Sequence, residues 1–321
     1  MRPVRTALAG ALLGTLVLTA CGQTGTTTTS SAAPTSAAPT SAAPSAAAGF
    51  PVTIEAGNGS VTLAKKPERI ISLSAAHTET LFAIGAGPQV IAVDDQSNYP
   101  AEAPKSDLSG FKPNVEAIVA KKPDLVVLSN DLDKIVAELG KLNVPVLLEP
   151  AATKIDEAYD EIADLGAATG NKDKADQVVT GMKAEMDKLA AAAPKDKKLT
   201  YYHELDQTPY AATSSTFIGQ IYSMFGLTNI ADKAPGAAGG YPKLSAEFVA
   251  KSDPDLIFLA DVKCCQQNKD TLAKRPGWKG LSAIKNDQVV LLDDDIASRW
   301  GPRVVDLAKA IGDAVNKAAA K

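Results

Sequence analysis

Only two histidines occur in the 321 residues, and each stands just past an apolar run that reads as a strand. His77 follows Arg69-Ile70-Ile71-Ser72-Leu73 through the loop Ser74-Ala75-Ala76, and His203 follows Leu199 to Tyr202. In open parallel α/β sheets ligands collect beyond the carboxyl ends of strands, where loops and helix N-termini converge. One imidazole in each half of the chain is therefore a candidate divided ligand site. The plainer alternative is a pair of partly exposed loop residues. Aromatic side chains are scarce, yet Tyr99, Phe111, Tyr241 and Trp300 all fall in loops at strand exits. A flat or apolar ligand would stack on such rings, unless they serve as plugs at the loop bases. Arg299, beside Trp300, has the fork geometry that pairs a carboxylate or phosphate. Arg303 reads as structural, on the first turn of a final helix. The expectation is a shared cavity that gathers both histidines, Tyr99 and Tyr241.

Cys264 and Cys265 are adjacent. A disulfide between neighbours distorts the peptide it spans, so free thiols or thiolate ligands stand beside it as alternatives. Motifs for catalysis are missing. His203-Glu204 lacks the second histidine of a zinc-protease helix, and there is neither a Gly-x-Ser-x-Gly elbow nor a P-loop. Asp293-Asp294-Asp295 fits a solvated turn better than a cation site. The residues point to binding without catalysis, with no resident metal or cofactor.

Strand-like runs alternating with helical patterns must position these side chains, and they do so twice. The first series runs from residue 50 to 171 and the second from 194 to 321. Between them Ala175, Val178, Val179, Met182, Met186, Leu189, Ala190 and Ala193 recur at helical spacing, with lysines off the stripe. Asn171 is placed to cap this helix over 172–193, Asp173 suits its positive end, and Pro194 stops it. A helix of that length is a rod of roughly 33 Å, weakened only at Gly181. An internal echo supports two halves of like build. Glu116 precedes Pro123-Asp124-Leu125-Val126-Val127-Leu128, and Glu247 precedes Pro254-Asp255-Leu256-Ile257-Phe258-Leu259 at the same spacing. The expected fold class is α/β, two Rossmann-like lobes bridged by a single long rigid helix.

Residues 1–20 have a secretory layout: Arg2 and Arg5, an apolar run from Ala7 to Val17, then Leu18-Thr19-Ala20-Cys21. The stretch 21–49 continues as an uncharged Ser-Ala-Ala-Pro-Thr repeat, which cannot bury enough apolar area to order itself and reads as a tether. The full chain carries a formal charge of -4, and losing the two arginines of the leader would make it -6. With no basic run and an acidic balance, nucleic acid is excluded as a partner.

Leu18-Thr-Ala-Cys21, Arg69-Ile-Ile-Ser-Leu-Ser-Ala-Ala-His-Thr-Glu79, Ser97-Asn-Tyr-Pro100, Glu116 with Lys122-Pro-Asp-Leu125, and Tyr241-Pro-Lys-Leu-Ser-Ala-Glu247 occur in that order. Together they resemble the substrate-binding lipoproteins of iron-siderophore and vitamin B12 ABC importers. The resemblance covers Phe50 to the C-terminus. It implies the class III periplasmic-binding architecture, with a rigid interdomain helix and little hinge closure. Cys21 would carry lipid, anchoring a monomer on the extracytoplasmic face of the cell membrane. The cargo would be a metal chelate, corrinoid or ferric siderophore, delivered to a permease dimer; a free zinc, manganese or haem receptor is the alternative. Glu79 and Glu247 match the paired surface glutamates that dock such proteins on permease arginines. Tyr99 and Tyr241 match ligand-stacking positions of the vitamin B12 binders, although Tyr241 replaces a tryptophan.

Overall fold

The computed structural model describes residues 49–320, and within them the chain builds two mainly parallel sheets in succession. The leader, Cys21 and nearly all of the tether lie outside the described residues. A hairpin comes first, β1 (Val52–Ala56) on β2 (Gly59–Leu63), turning through Gly57-Asn58, one residue earlier than the Asn58-Gly59 pair suggests, with Gly59 opening β2 at a φ of +93° that favours glycine. The first lobe then runs β3 (Ile70–Leu73), α1 (Ala75–Ala83), β4 (Val90–Val93), α2 (Val115–Ala120), β5 (Leu125–Leu128), α3 (Ile135–Lys141), β6 (Val146–Leu148) and α4 (Ile155–Thr169). Its sheet has the order β4-β3-β5-β6, all parallel.

α5 (Lys172–Ala191) leads to the second lobe. There follow β7 (Thr200–Asp206), β8 (Tyr210–Ala211), α6 (Phe217–Met224), β9 (Thr228–Asn229), α7 (Ala246–Ser252), β10 (Leu256–Leu259), α8 (Val262–Cys265), α9 (Lys269–Ala273), α10 (Ser282–Lys285), β11 (Val289–Leu291), α11 (Asp294–Ser298) and α12 (Val304–Ala319). The order is β11-β10-β7-β8, with β9 parallel to the start of β7 and β8 antiparallel to its end.

Every residue of β3, β5 and β10 is buried, as expected of strands covered on both faces. Their two-residue alternation sorts side chains between cores. Ile70, Leu125, Val127, Leu256 and Phe258 point into one large apolar cluster, which Ala175, Met182 and Met186 of α5 and Leu307 and Ile311 of α12 complete. Ile71, Val126 and Leu128 face a second cluster outside the first sheet, and Ile257 and Leu259 a third outside the second. The largest cluster is thus continuous through both lobes.

The internal echo has a structural meaning. Asn114 caps α2 by accepting from Ala117 N, and Ser245 caps α7 by accepting from Phe248 N. The aspartate of each Pro-Asp pair fastens the neighbouring strand. Asp124 accepts from Glu68 N and Arg69 N just before β3, and Asp255 accepts from Thr200 N at the start of β7.

α5 lies along α4 on one side and α12 on the other. Close approach to α4 depends on Gly166, where a Cβ would stand 2.3 Å from the Cβ of Ala175. Two details of the bridge differ from expectation. Asn171 makes no cap, because its amide donates to Gln89 Oε1 and Thr169 instead. The helix also ends at Ala191, short of Pro194, which disfavours helical backbone in the residue before it. In the second lobe β7 runs on to Asp206, so His203 lies within a strand rather than after it. Residues 294–298, expected as loop, form α11, with Asp293 accepting from Asp295 N and Ile296 N at its start.

Candidate ligand cleft

The carboxyl ends of the first sheet face the segment that joins β11 to α12 in the second lobe. A cavity of about 220 Å³ lies between them, lined by Ser74 after β3, Asp94 after β4, Phe111, Asn130 after β5, and Arg299 with Trp300. Gly301 rests directly on α1, where a Cβ would come within 3.0 Å of the Ala76 carbonyl oxygen. The lobes therefore meet at the cavity wall.

Glu161 fixes the aromatic floor. Its Oε2 accepts from Trp300 Nε1 at 2.7 Å and pairs with His77 Nε2 at 3.1 Å. A carboxylate only accepts, so the His77 proton sits on Nε2. The imidazole meets the indole edge-on, with centroids 5.9 Å apart, and is buried behind it. His77 thus positions Trp300 and does not line the cavity.

Glu79 is the hinge of the contact between lobes. It is 3% exposed, and Arg299 donates to its Oε1 at 2.7 Å while Arg303 donates to both oxygens. Arg299 further donates to Asn98 Oδ1, the Gln96 carbonyl and Asp295 Oδ1, so both of its terminal nitrogens are engaged. The expectation that Arg299 offers a free fork to ligand is corrected: it lines the cavity but is tied into the lobe contact. The expectation for Glu79 is corrected too. A docking acid must reach solvent, and this one is buried and doubly paired.

His203 also moves out of the site. It is fully buried in β7, Nδ1 bonds the Tyr222 hydroxyl at 2.8 Å, and burial pushes its pKa down to about 3. It is a neutral core residue. Tyr99 lies under the Arg303 guanidinium, 4.1 Å from its ring centroid, outside the cavity lining. Tyr241, half exposed, lines a different cavity of about 320 Å³ with Thr153 and Thr216. Phe111 stands at the rim of the first cavity, 67% exposed. Phe111, Arg299 and Trp300 therefore line one cavity, whereas the two histidines and two tyrosines, expected to share one, do not.

Sequence reasoning passed over Asp94, Asn130, Glu149 and Glu161. Glu161 leaves a signal, since it interrupts the buried stripe Ala158, Ile162 and Leu165 of α4 with a charge. Asp94 follows a buried strand, accepts from Ser97 Oγ, and is held above the usual carboxylate range by burial. Glu149 lines a third cavity with Asp160, Glu161 and Asp164, and burial followed by Asp164 and Glu161 pushes its pKa up to about 8. That cavity shares Ala151 and Thr153 with the one holding Tyr241, and shares Glu161 with the Trp300 floor. The Tyr241 and Glu149 cavities thus adjoin, and Glu161 stands between the Glu149 cavity and the Trp300 indole.

The sequence profile of the periplasmic binding protein family matches residues 70–296. This chain belongs to that family. It is 31% identical over 279 residues, 83% of its length and 86% of the relative's, to an uncharacterized ABC transporter substrate-binding lipoprotein of Bacillus subtilis. Over 268 residues, 80% of its length and 72% of the relative's, it is 32% identical to a cobalamin-binding protein of Halobacterium salinarum. A structure described as a possible iron-binding (periplasmic solute-binding) protein from Staphylococcus epidermidis superposes with a TM-score of 0.67 at 27% identity, covering 79% of this chain and 99% of the other. The periplasmic vitamin B12 binding protein of Vibrio cholerae shares the fold with a TM-score of 0.64 at 24% identity, over 79% and 99% of the two chains. The family consists of solute-binding proteins rather than enzymes. Its mixed α/β build with parallel sheets is the one seen in this periplasmic binding protein. Cys264 and Cys265 form a disulfide in α8, whose first backbone N–H groups at Val262, Lys263 and Cys264 donate to Asp294. No described helix is long and apolar enough to cross a membrane.

Proposed function

We propose that this protein captures a metal chelate, a corrinoid or a ferric siderophore, in the cleft between its lobes and delivers it to the permease of an ABC importer without transforming it. The observation that carries the reading is the Trp300 indole, held at the cleft floor by Glu161 and His77 where strand ends of one lobe meet the other. A fixed aromatic face suits a broad, partly apolar cargo. Sequence kinship to cobalamin-binding and Fe(3+)-citrate-binding proteins supports the same class. Lipid on Cys21 would hold the chain at the extracytoplasmic face, with α5 setting the spacing of the lobes. Free zinc or manganese is disfavoured, because His77 and His203 are buried on separate partners, Glu161 and Tyr222, and no group of three or more His, Cys, Asp or Glu side chains among the described residues is arranged to hold a metal ion. Haem finds no accessible imidazole, since both histidines are buried.

The docking pair is better placed on Glu116 and Glu247. Each is exposed in the first turn of an N-capped helix, one per lobe, at matching points of the internal echo. Isothermal titration with cyanocobalamin, ferric hydroxamates, haem and zinc tests the cargo. Binding of a corrinoid or hydroxamate is expected; a response to zinc alone overturns the reading. Glu116→Lys with Glu247→Lys should abolish uptake while leaving chelate affinity unchanged, and a loss of affinity would move these acids into the pocket.

A further inference from the structure

The cavity beside the Trp300 floor, on the other side of Glu161, holds a group that the reading above does not use. β6 ends at Leu148 and hands Glu149 into a cavity of about 340 Å³, whose wall is the polar side of α4. Glu149 is 5% exposed, and its Oε1 has no hydrogen-bond partner. The remaining charged residues lining this cavity are Glu157, Asp160, Glu161 and Asp164, and no basic side chain is among them. Two of these acids are committed elsewhere. Glu161 holds Trp300 and His77, and Glu157 accepts from Thr153 and from Lys154 N. Glu149, Asp160 and Asp164 are left facing like charge, and burial together with neighbouring acids keeps Glu149 and Asp164 above the usual carboxylate range. A buried carboxyl with an orphaned oxygen on an acidic wall is costly, and a cation in the cavity would relieve it.

The geometry also selects the kind of cation. The described side chains do not converge as a metal-ligating group of three or more. Acceptors spread around a cavity suit an ammonium group, which carries three donors on one centre. We propose that this cavity is a subsite for a protonated amine carried by the cargo chelate, with the chelate body against Trp300 and the amine arm passing Glu161 to reach Glu149. The inference rests on the chelate reading above and narrows it: cargo with a free primary amine is favoured, and cargo that presents only carboxylates at this end is repelled.

The test is isothermal titration with a linear ferric trihydroxamate ending in a primary amine, its N-acetylated form, and 1,5-diaminopentane, against the wild-type chain and Glu149→Gln. Glutamine has the shape of the protonated glutamic acid, and an unchanged melting curve checks the fold. The amine form should bind the wild type roughly tenfold or more tighter than the acetylated form, the ratio that one charge-assisted hydrogen bond supplies. Glu149→Gln should bring the two forms to near parity by weakening only the amine form. Equal wild-type affinities, or a preference for the acetylated chelate, overturn the subsite and leave the chelate reading standing. If neither hydroxamate binds, that cargo class is excluded, and the diamine decides the subsite. Diamine binding that disappears in Glu149→Gln supports it, and binding that is absent or indifferent to the substitution overturns it. Calcium or magnesium binding that displaces the diamine and depends on Glu149 would assign the cavity to a metal ion instead.

Discussion

Replacing Glu79 with glutamine separates a structural role from a docking one. In the native protein its two oxygens accept three hydrogen bonds, one from Arg299 and two from Arg303, with the carboxylate side chain 2% exposed. Glutamine keeps one acceptor but turns an amide N–H toward a guanidinium, depriving two half-buried cations of the charge they share. Removing one member of a buried ion pair costs about 3–5 kcal/mol. Here the lower end applies, because Arg299 retains Asp295, Asn98 and the Gln96 carbonyl, and Arg303 retains the Tyr99 ring. The expected loss is therefore about 3 kcal/mol. With a urea m-value of roughly 3 kcal/mol/M, the unfolding midpoint should fall by roughly 1 M. Glu79→Lys should be worse, since it adds a third cation. Urea titration followed by far-UV circular dichroism measures the effect. If Glu79→Gln unfolds at the wild-type midpoint while uptake is lost, the burial argument fails and the docking role returns.

Three further outcomes are expected. Gly166→Ala should force α4 away from α5 and lower stability by about 1–3 kcal/mol, with partial recovery on adding Ala175→Gly, because the clash is between those two Cβ positions. Gly181→Ala should raise stability by about 0.5–1 kcal/mol in thermal or urea unfolding, since a Cβ there meets nothing within 4 Å and the site is mid-helix. His203 should steepen acid unfolding. Its pKa is near 3 folded and about 6.5 unfolded, so between those values the unfolded chain binds the extra proton and stability falls as pH falls, by up to about 1.4 kcal/mol per pH unit. His203→Asn should flatten that limb of the pH–stability curve, and an unchanged slope would refute the assignment.

The repeating architecture was legible because periodicity is a local property. The β5 and β10 runs, the stripe of α5, and the Pro-Asp turns each announce themselves within ten or so residues. The cleft was legible only in part. Trp300, Arg299 and Phe111 sit at element ends, where sequence points to ligand sites, and the structure brings them together. His203 misled because β7 continues past Tyr202, and a strand's length is not fixed by its apolar core. Glu79 misled for another reason: its partners lie 220 and 224 positions away, and nothing near Glu79 in the chain signals them. Tyr99 and Tyr241 were drawn in by likeness of motif, which fixes a residue's position on an element but not the wall its ring will face.

The unbroken oil that runs from Ile70 through Met182 to Ile311 sets how an empty molecule differs from a loaded one. Swinging the halves apart far enough to wet about 400 Å² of that seam would cost on the order of 10 kcal/mol. A wide jaw-like gape would therefore be costly for this chain, and a cargo held as proposed would be expected to pass by movement of side chains at the lip, around Phe111.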